Sequence, residues 1–321
     1  MSVGSPEHQK IVALSGGIGG AKLALGLKRV LPIGSLTIIA NTGDDFEHMG
    51  LSISPDIDTL VYTLAGLSDT DRGWGRADET WTFMDSIRAL GGETWFNLGD
   101  GDLAMHVLRS ARLAEGDSLT TITADVCATL EVGARIIPMS NQPVRTRLRS
   151  DDGWLDFQDY FVGRRAQPVV HEIAYVGSQT AEPAPGLIDA LGASDVAAIV
   201  ICPSNPLISI EPILAVTGIR QALRQASAPV IAISPIIAGQ SLKGPTAKML
   251  RELGYSVSAA TVLQRYNDLL DAYIADPRDM KALEAVSQET ALVPADIMMV
   301  SLDDRDRLAR TVMDVAKRFT A

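Results

Sequence analysis

A strand, a glycine-rich turn, a helix and a second strand follow one another near the start of the chain, and this order constrains the fold most. Residues 11–14 form a short apolar run, and Ser-Gly-Gly-Ile-Gly-Gly-Ala-Lys follows at residues 15–22. Residues 21–30 carry apolar side chains at helical spacing, and residues 36–40 are again an apolar run of strand length. Such a unit places its two strands parallel in one sheet, so the pattern predicts an α/β fold.

The rest of the chain divides into three parts. Residues 58–133 show helical periodicity interrupted by glycines, whereas residues 144–162 alternate around Asp151-Asp152-Gly153 as in a β-hairpin. From residue 197 onward strands and helices alternate again, and apolar runs predict further strands at 256–262 and 297–300. We therefore predict a Rossmann-like, mostly parallel sheet core from residues 1–57 and 134–321. We predict that a small helical subdomain, residues 58–133, is inserted into this core, and that the β-hairpin is part of the core.

Composition excludes several classes of protein. The formal net charge is −11, which disfavours binding to nucleic acid or to an anionic membrane surface. The longest apolar runs are of strand length and too short to span a bilayer. Two cysteines provide neither a disulfide framework nor a zinc cluster. We expect a cytoplasmic protein that has no nucleic-acid or membrane partner.

The glycine turn has the features of a phosphate site, because ligands of such sheets bind beyond the carboxyl ends of the strands. Gly16, Gly17 and Gly19 allow backbone N–H groups to approach an anion, and the N-terminus of the following helix favours negative charge. Lys22 stands where a dinucleotide fingerprint has its third glycine, and Asn41 where that fingerprint has a ribose-binding acid. The turn is not a Walker A loop either. It predicts a phosphate ligand of another kind, and a ligand-free turn is the alternative.

Four aspartates lie within fifteen residues after the second strand: Asp44, Asp45, Asp56 and Asp58. Carboxylate oxygens near a phosphate site suit Mg²⁺, which usually takes one or two protein carboxylates together with phosphate oxygens. Alternatively, Asp58 serves as the N-cap of a helix that begins at residue 60. His48 lies in the same acidic region and is a further candidate for ligand contact.

Two later loops add polar groups at the same edge of the predicted sheet. Ser204 and Asn205 follow the predicted strand at 197–202, and Lys243 and Gly244 follow the next strand in the chain. The chain has no Gly-x-Ser-x-Gly elbow and no Cys–His pairing typical of a covalent nucleophile. These residues favour transfer of a phosphorylated group by positioning and charge neutralisation.

Five stretches, in chain order, resemble the 2-phospho-L-lactate transferase family. They are SGGIGGAK, NTGDDFEHMGLSISPDIDTLVYTLAG, WFNLGDGDLAMH, CPSNPLISIEPIL and SLKGPTAKMLRELG. The resemblance implies an enzyme of coenzyme F420 biosynthesis with a Rossmann-like core, a Mg²⁺ requirement and a homodimeric state. In the implied reaction, a phospholactate-type group passes from a guanosine-diphosphate-linked acid to the terminal ribityl hydroxyl of the deazaflavin Fo, and GMP leaves.

The resemblance also assigns residues by position. It implies catalytic roles for Asp45 and Asp58, and Mg²⁺ ligands at Asp45, Asp56 and Asp58. The implied substrate- and nucleotide-binding residues are Gly16, Gly17, Gly19, Lys22, Asn41, Thr42, His48, Thr59, Ser204, Asn205, Lys243 and Gly244.

The chain departs from the family pattern at two positions. Gly101 stands where Gly-Asp-Arg-Asp-Leu-Ala has its arginine, and Cys202 stands where glycine is usual. These departures leave the transferred acid open among phospholactate, phosphoenolpyruvate and phosphoglycerate. A related group with the same core binds nucleotide-sugars and regulates cell-wall metabolism, and it is the alternative function. The Asp56-Ile-Asp58-Thr and GDGDLA stretches favour the enzyme.

Overall fold

Seven parallel strands form the central sheet of the protein. The computed structural model describes residues 10–241 and 244–319. The strands are β1 Lys10–Ser15, β2 Leu36–Ala40, β3 Phe46–His48, β4 Leu51–Ile53, β5 Arg135–Pro138, β6 Arg145–Ser150, β7 Gly153–Asp156, β8 Glu172–Val176, β9 Val196–Ile201, β10 Val230–Ile233, β11 Ile236–Ile237, β12 Gln240–Ser241, β13 Ala272–Ala275 and β14 Ala291–Pro294. The sheet order is β14-β13-β10-β9-β1-β2-β5, and every neighbouring pair is parallel, which confirms the predicted Rossmann-like α/β fold.

Helices cover both faces of this sheet. They are α1 Gly17–Val30, α2 Pro55–Ala65, α3 Thr82–Ala89, α4 Asp100–Glu115, α5 Leu119–Thr129, α6 Leu187–Gly192, α7 Glu211–Ala215, α8 Ile219–Gln225, α9 Thr246–Glu252, α10 Ala259–Tyr266, α11 Met280–Glu284 and α12 Leu302–Lys317. Successive residues of a strand point to opposite faces. Thus Ile11 and Ile38 pack against α1, α2 and α12, whereas Leu14 and Ile39 belong to the core on the other face. Burial on both faces explains why these strands are continuous apolar runs.

The predicted hairpin is confirmed, with one difference. β6 and β7 pair antiparallel around the Asp151-Asp152-Gly153 turn, and β8 adds a third antiparallel strand to β6. The second strand of the hairpin ends at Asp156 instead of continuing to residue 162, because Asp159–Gly163 form a wide helical turn. A second, unpredicted hairpin joins β3 and β4 just before α2.

Acidic side chains cap the N-termini of two helices in the 58–133 segment. The Asp100 carboxylate at the start of α4 accepts hydrogen bonds from the Thr82 and Phe83 amides of α3. The Glu79 carboxylate, which precedes α3, accepts from the Gly101 and Asp102 amides of α4. These bonds satisfy backbone donors that helix ends leave unpaired. The division of the chain at residue 58 stays a prediction. The structure shows that α2 spans this point and packs against α1.

Two predicted strands are wrong. Residues 256–262 contain the start of α10, where the Ser258 side chain caps the helix by accepting from the Thr261 amide. Residues 297–300 bury Ile297 and Met299 in alternation but pair with no strand among the described residues, and β14 forms the sheet edge instead. Short apolar runs do not separate a strand from a buried helix or loop by periodicity alone. Within residues 10–241 and 244–319, no helix is both long and apolar enough to cross a membrane. The cytoplasmic location stays a prediction.

Candidate active site

The loops that follow β1, β2 and β9 meet at the carboxyl edge of the sheet. β1 lies between β2 and β9, so the order of strands reverses here, and such crevices are where doubly wound sheets bind ligands. The Ser204 hydroxyl donates to the Gly16 carbonyl oxygen at 2.8 Å. The side-chain nitrogen Nδ2 of Asn41 donates to the Ile208 carbonyl oxygen at 3.1 Å. A methyl group on Gly16 would also lie 3.1 Å from Cβ of Asn41, so the structure brings Gly16, Asn41 and Ser204 together, and their roles in binding stay predictions.

The glycines of the turn after β1 are required by close packing against the protein itself. A methyl group on Gly16 would lie 2.6 Å from Oδ2 of Asp56, and one on Gly19 would lie 2.5 Å from the Pro203 carbonyl oxygen. Gly17 has a φ of +63°, a conformation that favours glycine. Its amide donates to Oδ1 of Asp56 at 2.6 Å. The turn thus holds Asp56 in place.

We expect Gly16→Ala to displace the Asp56 carboxylate, because the new methyl group and Oδ2 cannot occupy adjacent positions at that distance. Loss of this contact should reduce turnover at least about tenfold and lower the free energy of unfolding by about 1–3 kcal/mol, the usual cost of overpacking. Urea denaturation and steady-state kinetics measure the two effects. Gly192→Ala is the matched control, because a methyl group there meets open space and Gly192 has no positive φ. Full activity in Gly16→Ala would contradict the packing described above.

Asp56 joins all three loops through its two oxygens. Besides the Gly17 amide on Oδ1, the Asn41 side-chain nitrogen donates to Oδ2 at 2.8 Å. The Asn41 side-chain oxygen in turn accepts from the Gly43 amide. Burial raises the pKa of Asp56 to about 6, even though these hydrogen bonds favour the carboxylate. Asn41 is therefore a positioning residue for this acid.

Asp44 and Asp45 are buried beside Asp56 with one oxygen each left without a partner among the described residues. Oδ2 of Asp45 accepts from the Ser54 hydroxyl at 2.9 Å, whereas Oδ1 of Asp45 and Oδ1 of Asp44 have no hydrogen bond. Burial raises the pKa of Asp45 to about 7, against the opposing effect of the Arg145 guanidinium. Burial and the nearby Asp56 raise the pKa of Asp44 well above its ordinary value. Neither carboxylate forms an ion pair with another described side chain, and the distant guanidinium of Arg145 does not outweigh burial.

This chemistry fits a divalent cation with oxygen ligands. Three ligand atoms that hold one metal ion lie close together, and 4.8 Å is a generous limit for their separations. Asp44, Asp45 and Asp56 do not offer three oxygens within that limit of one another, whereas one other set of three described side chains does. A cation held by one or two of these aspartates would therefore complete its coordination with oxygens of a bound phosphate, as Mg²⁺ usually does. Both the unpartnered oxygens and the raised pKa values support such a site.

We expect Mg²⁺ to stabilise the protein more at pH 8 than at pH 5. The raised carboxyl pKa values mean that the folded protein without metal holds protons that the unfolded chain has lost, so stability falls between about pH 4 and pH 7. For Asp45, the shift from 3.8 to about 7 corresponds to on the order of 4 kcal/mol. Only the ionised carboxylates bind metal. Thermal melts with Mg²⁺ and with a chelator at both pH values test this, and an equal Mg²⁺ effect at both would contradict it.

Asp58 belongs to a buried charge network next to that cluster, and its charge contributes to raising the pKa of Asp45 and of Asp56. Nη1 of Arg109 lies 3.2 Å from Oδ2 of Asp58, and the Arg109 Nη2 donates to the other oxygen. His106 and Asp102 complete the set of side chains whose ligand atoms lie within 4.8 Å. The Tyr62 hydroxyl donates to Asp102 at 2.6 Å. Burial disfavours ionisation of Asp102, but His106 and this hydroxyl hold its pKa below the ordinary value.

This network bears on two interpretations of Asp58. Because α2 begins at Pro55 with Ser54 as its N-cap, Asp58 lies inside the first turn, and the N-cap alternative is wrong. The guanidinium of Arg109 already supplies the cation that Asp58 needs. The assignments of Asp58 as a Mg²⁺ ligand and as a catalytic residue stay predictions. The geometry favours Asp44 as the third carboxylate that holds Mg²⁺ with Asp45 and Asp56.

The remaining predicted residues occupy varied environments. The Lys22 ammonium donates to the Met299 carbonyl oxygen at 2.9 Å. His48 is buried among aromatic rings, with Nε2 unpartnered among the described residues, and burial lowers its pKa.

Asn205 accepts from the Leu207 amide. Thr42 is buried and Thr59 is half-buried. Gly244 is exposed, and Lys243 lies outside the described residues.

Two arginines of the site were not predicted from the sequence. Arg109 lies on α4 at helical spacing from Asp102 and His106. The pattern Asp-x₃-His-x₂-Arg therefore indicates that these three side chains lie on the same side of the helix. Arg145 begins β6 and is the guanidinium that most lowers the pKa of Asp45, although burial outweighs it. Nothing in its local sequence pointed to the carboxylates, because β6 reaches them only through the tertiary fold.

Comparison with known proteins decides the family. The model described as 2-phospho-L-lactate transferase CofD matches residues 11–318. The chain belongs to this family. It is 40% identical to a phosphoenolpyruvate transferase of Streptomyces griseus, with 97% of this chain and 100% of the relative covered. It is 37% identical to a phosphoenolpyruvate transferase of Mycolicibacterium smegmatis, with 96% and 98% covered. The reaction class of the family is group transfer.

A solved structure shows the same fold at low identity. The crystal structure of a UPF0052-family protein from Bacillus halodurans superimposes with a TM-score of 0.63 at 17% identity, covering 96% of this chain and 99% of that one. Identity at this level shows the fold alone. The Bacillus halodurans protein and this chain therefore share the same α/β fold.

Proposed function

We propose that this protein transfers a phosphoenolpyruvate-type group to the deazaflavin Fo in coenzyme F420 biosynthesis. The donor is the acid linked through a diphosphate to guanosine, the acceptor is the terminal ribityl hydroxyl of Fo, and GMP is released. The observation that carries the proposal is the similarity, over nearly the full length of both chains, to proteins named phosphoenolpyruvate transferase. Phospholactate and phosphoglycerate remain alternative acids.

The chain's own residues supply position and charge. The acceptor hydroxyl oxygen forms a bond to the phosphorus that carries the acid, the P–O bond to GMP breaks, and the hydroxyl proton leaves. Asp45 is the proposed proton acceptor, because its buried Oδ1 has no hydrogen-bond partner among the described residues and can accept the hydroxyl proton. Asp44, Asp45 and Asp56 are the proposed residues that hold Mg²⁺. When bound, Mg²⁺ neutralises charge on the diphosphate oxygens.

The glycine turn and Ser204 are proposed to orient the donor at the carboxyl edge of the sheet. Asn41 and the Gly17 amide hold Asp56, and the Arg109–Asp58 pair holds α4 against α2. The homodimer implied by the family resemblance belongs to the same proposal. Light scattering on the purified protein tests that state separately.

The test is a product assay with purified protein, Fo, Mg²⁺ and one guanylylated acid at a time. Mass spectrometry then measures GMP and the phosphodiester of Fo. We expect the phosphoenolpyruvate donor to give the highest kcat/KM of the three acids. A different preferred acid would correct the donor. No product from any donor, together with tight UDP-sugar binding in calorimetry, would overturn the proposal in favour of a nucleotide-sugar-binding regulator.

A further inference from the structure

A cavity of about 300 Å³ lies between the C-terminal end of α2 and the helices α4 and α5. This volume is at the lower end of the range for small-molecule sites. Its apolar wall comes from α4, α5 and the residues that follow α2 and α5: Leu67, Ala104, Met105, Leu108, Val126 and Leu130. Along α4 it extends from Gly101 to Arg112, which is about 16 Å at the helical rise. The cavity is thus an elongated apolar slot.

The two arginines of this cavity differ in their partners. Arg112 forms ion pairs with Asp117 and Asp125. Arg76 is half-buried, and no hydrogen bond or ion pair joins its guanidinium to another residue within 10–241 and 244–319. The nearest described carboxylate, that of Glu79, lies beyond ion-pair distance and already accepts from the Gly101 and Asp102 amides. A guanidinium partly removed from water is costly to leave without its own ion pair, and an anion beside it would offset that cost. One end of the slot therefore favours an anion.

Gly101 makes this placement of Arg76 possible. A methyl group on Gly101 would lie 3.0 Å from Cζ of Arg76 and closer still to Nη1. Because Glu79 already caps the N-terminus of α4, the helix end does not provide the anion site by itself. The Arg76 guanidinium provides the anion site, and the absence of a side chain at Gly101 leaves space for it. Gly101 is also the position at which this chain departs from the arginine of the family pattern.

We propose that this cavity binds an organic anion with an elongated apolar body, and that Arg76 pairs with its acidic group. The apolar wall takes the body of the ligand, and the guanidinium takes a single carboxylate, sulfonate or phosphate. This proposal concerns binding alone, so it does not depend on the transfer reaction. It shares Tyr62 with the charge network that reaches Asp58, so an occupied cavity touches that network directly.

Two fluorescent probes with the same rings separate the anion from the apolar body. Anilinonaphthalene sulfonate carries one sulfonate, and phenylnaphthylamine carries none. We expect Arg76→Ala to weaken sulfonate binding at least about tenfold, the effect of losing one charge-assisted hydrogen bond, and to leave phenylnaphthylamine binding unchanged. Arg76→Lys should restore part of the loss. Arg88→Ala, which removes an exposed arginine of α3, is the matched control.

Two further variants locate the probes. Gly101→Ala should weaken sulfonate binding as Arg76→Ala does, and the double variant should lose no more than either single one. Ala104→Trp, at an exposed position of the cavity wall, should reduce the binding of both probes. Unchanged sulfonate affinity in Arg76→Ala, an equal loss for both probes, or unchanged binding in Ala104→Trp would overturn the proposal.

Discussion

Replacing Asp45 with asparagine is expected to remove most of the turnover while the protein stays folded. The asparagine has nearly the same shape and keeps an oxygen that can accept from the Ser54 hydroxyl. It loses the negative charge that would hold a cation and the carboxylate that would accept a proton. General base catalysis contributes about 10²–10⁴-fold, so we expect kcat to fall by at least about two orders of magnitude. Steady-state kinetics with the guanylylated donor and Fo measure this.

The controls separate chemistry from folding. Because Asp45 is buried beside other carboxylates, Asp45→Asn should raise the melting temperature of the metal-free protein instead of lowering it. Asp314→Asn, which alters an exposed aspartate of α12, should change neither property. Near-normal turnover in Asp45→Asn would place the proton acceptor and the metal elsewhere, and Asp58 would then be the next candidate.

The second large effect is expected for Arg109→Met. This change leaves the carboxylate of Asp58 buried without its counter-charge, next to the acidic side chain of Asp102. Breaking a buried ion pair from one side costs about 3–5 kcal/mol. We expect a loss of that size in the free energy of unfolding, measured by urea denaturation.

The double variant Asp58→Asn with Arg109→Met distinguishes the ion pair from packing. It removes both charges, so stability should recover by more than half of the loss if the uncompensated carboxylate is the cause. No recovery would mean that the stem of Arg109 is what matters. A loss below about 0.5 kcal/mol in the single variant would contradict the buried pair itself.

The sequence was sufficient for the fold where apolar runs are continuous and bounded by turns. β1, β2 and β9 are buried on both faces, so their residue pattern carries the whole signal. The pattern was insufficient at residues 256–262 and 297–300. There the apolar residues pack against the core from a helix and from an irregular segment, and the cap at Ser258 decides the outcome. Local propensity gives way to tertiary packing at such positions.

The candidate site was predicted in part because its loops follow strands. Gly16, Asn41, Asp56 and Ser204 meet in the structure because parallel strands end at one edge of a sheet. The sequence does not show which way each carboxylate points. Asp58 lies two residues from Asp56 on the same helix, yet it pairs with Arg109 on α4, a contact that depends on how the two helices pack. The close packing of the glycines was also beyond sequence reasoning.

The most direct test of this account is the affinity of the protein for Mn²⁺, a paramagnetic substitute for Mg²⁺, in the presence of a guanosine diphosphate ligand. Electron paramagnetic resonance reports the free ion. We expect Asp45→Asn and Asp56→Asn each to weaken Mn²⁺ binding at least about tenfold, and Asp102→Asn to leave it within about twofold. Equal affinity in the wild-type protein and in Asp45→Asn would contradict the central claim that these carboxylates form the cation site.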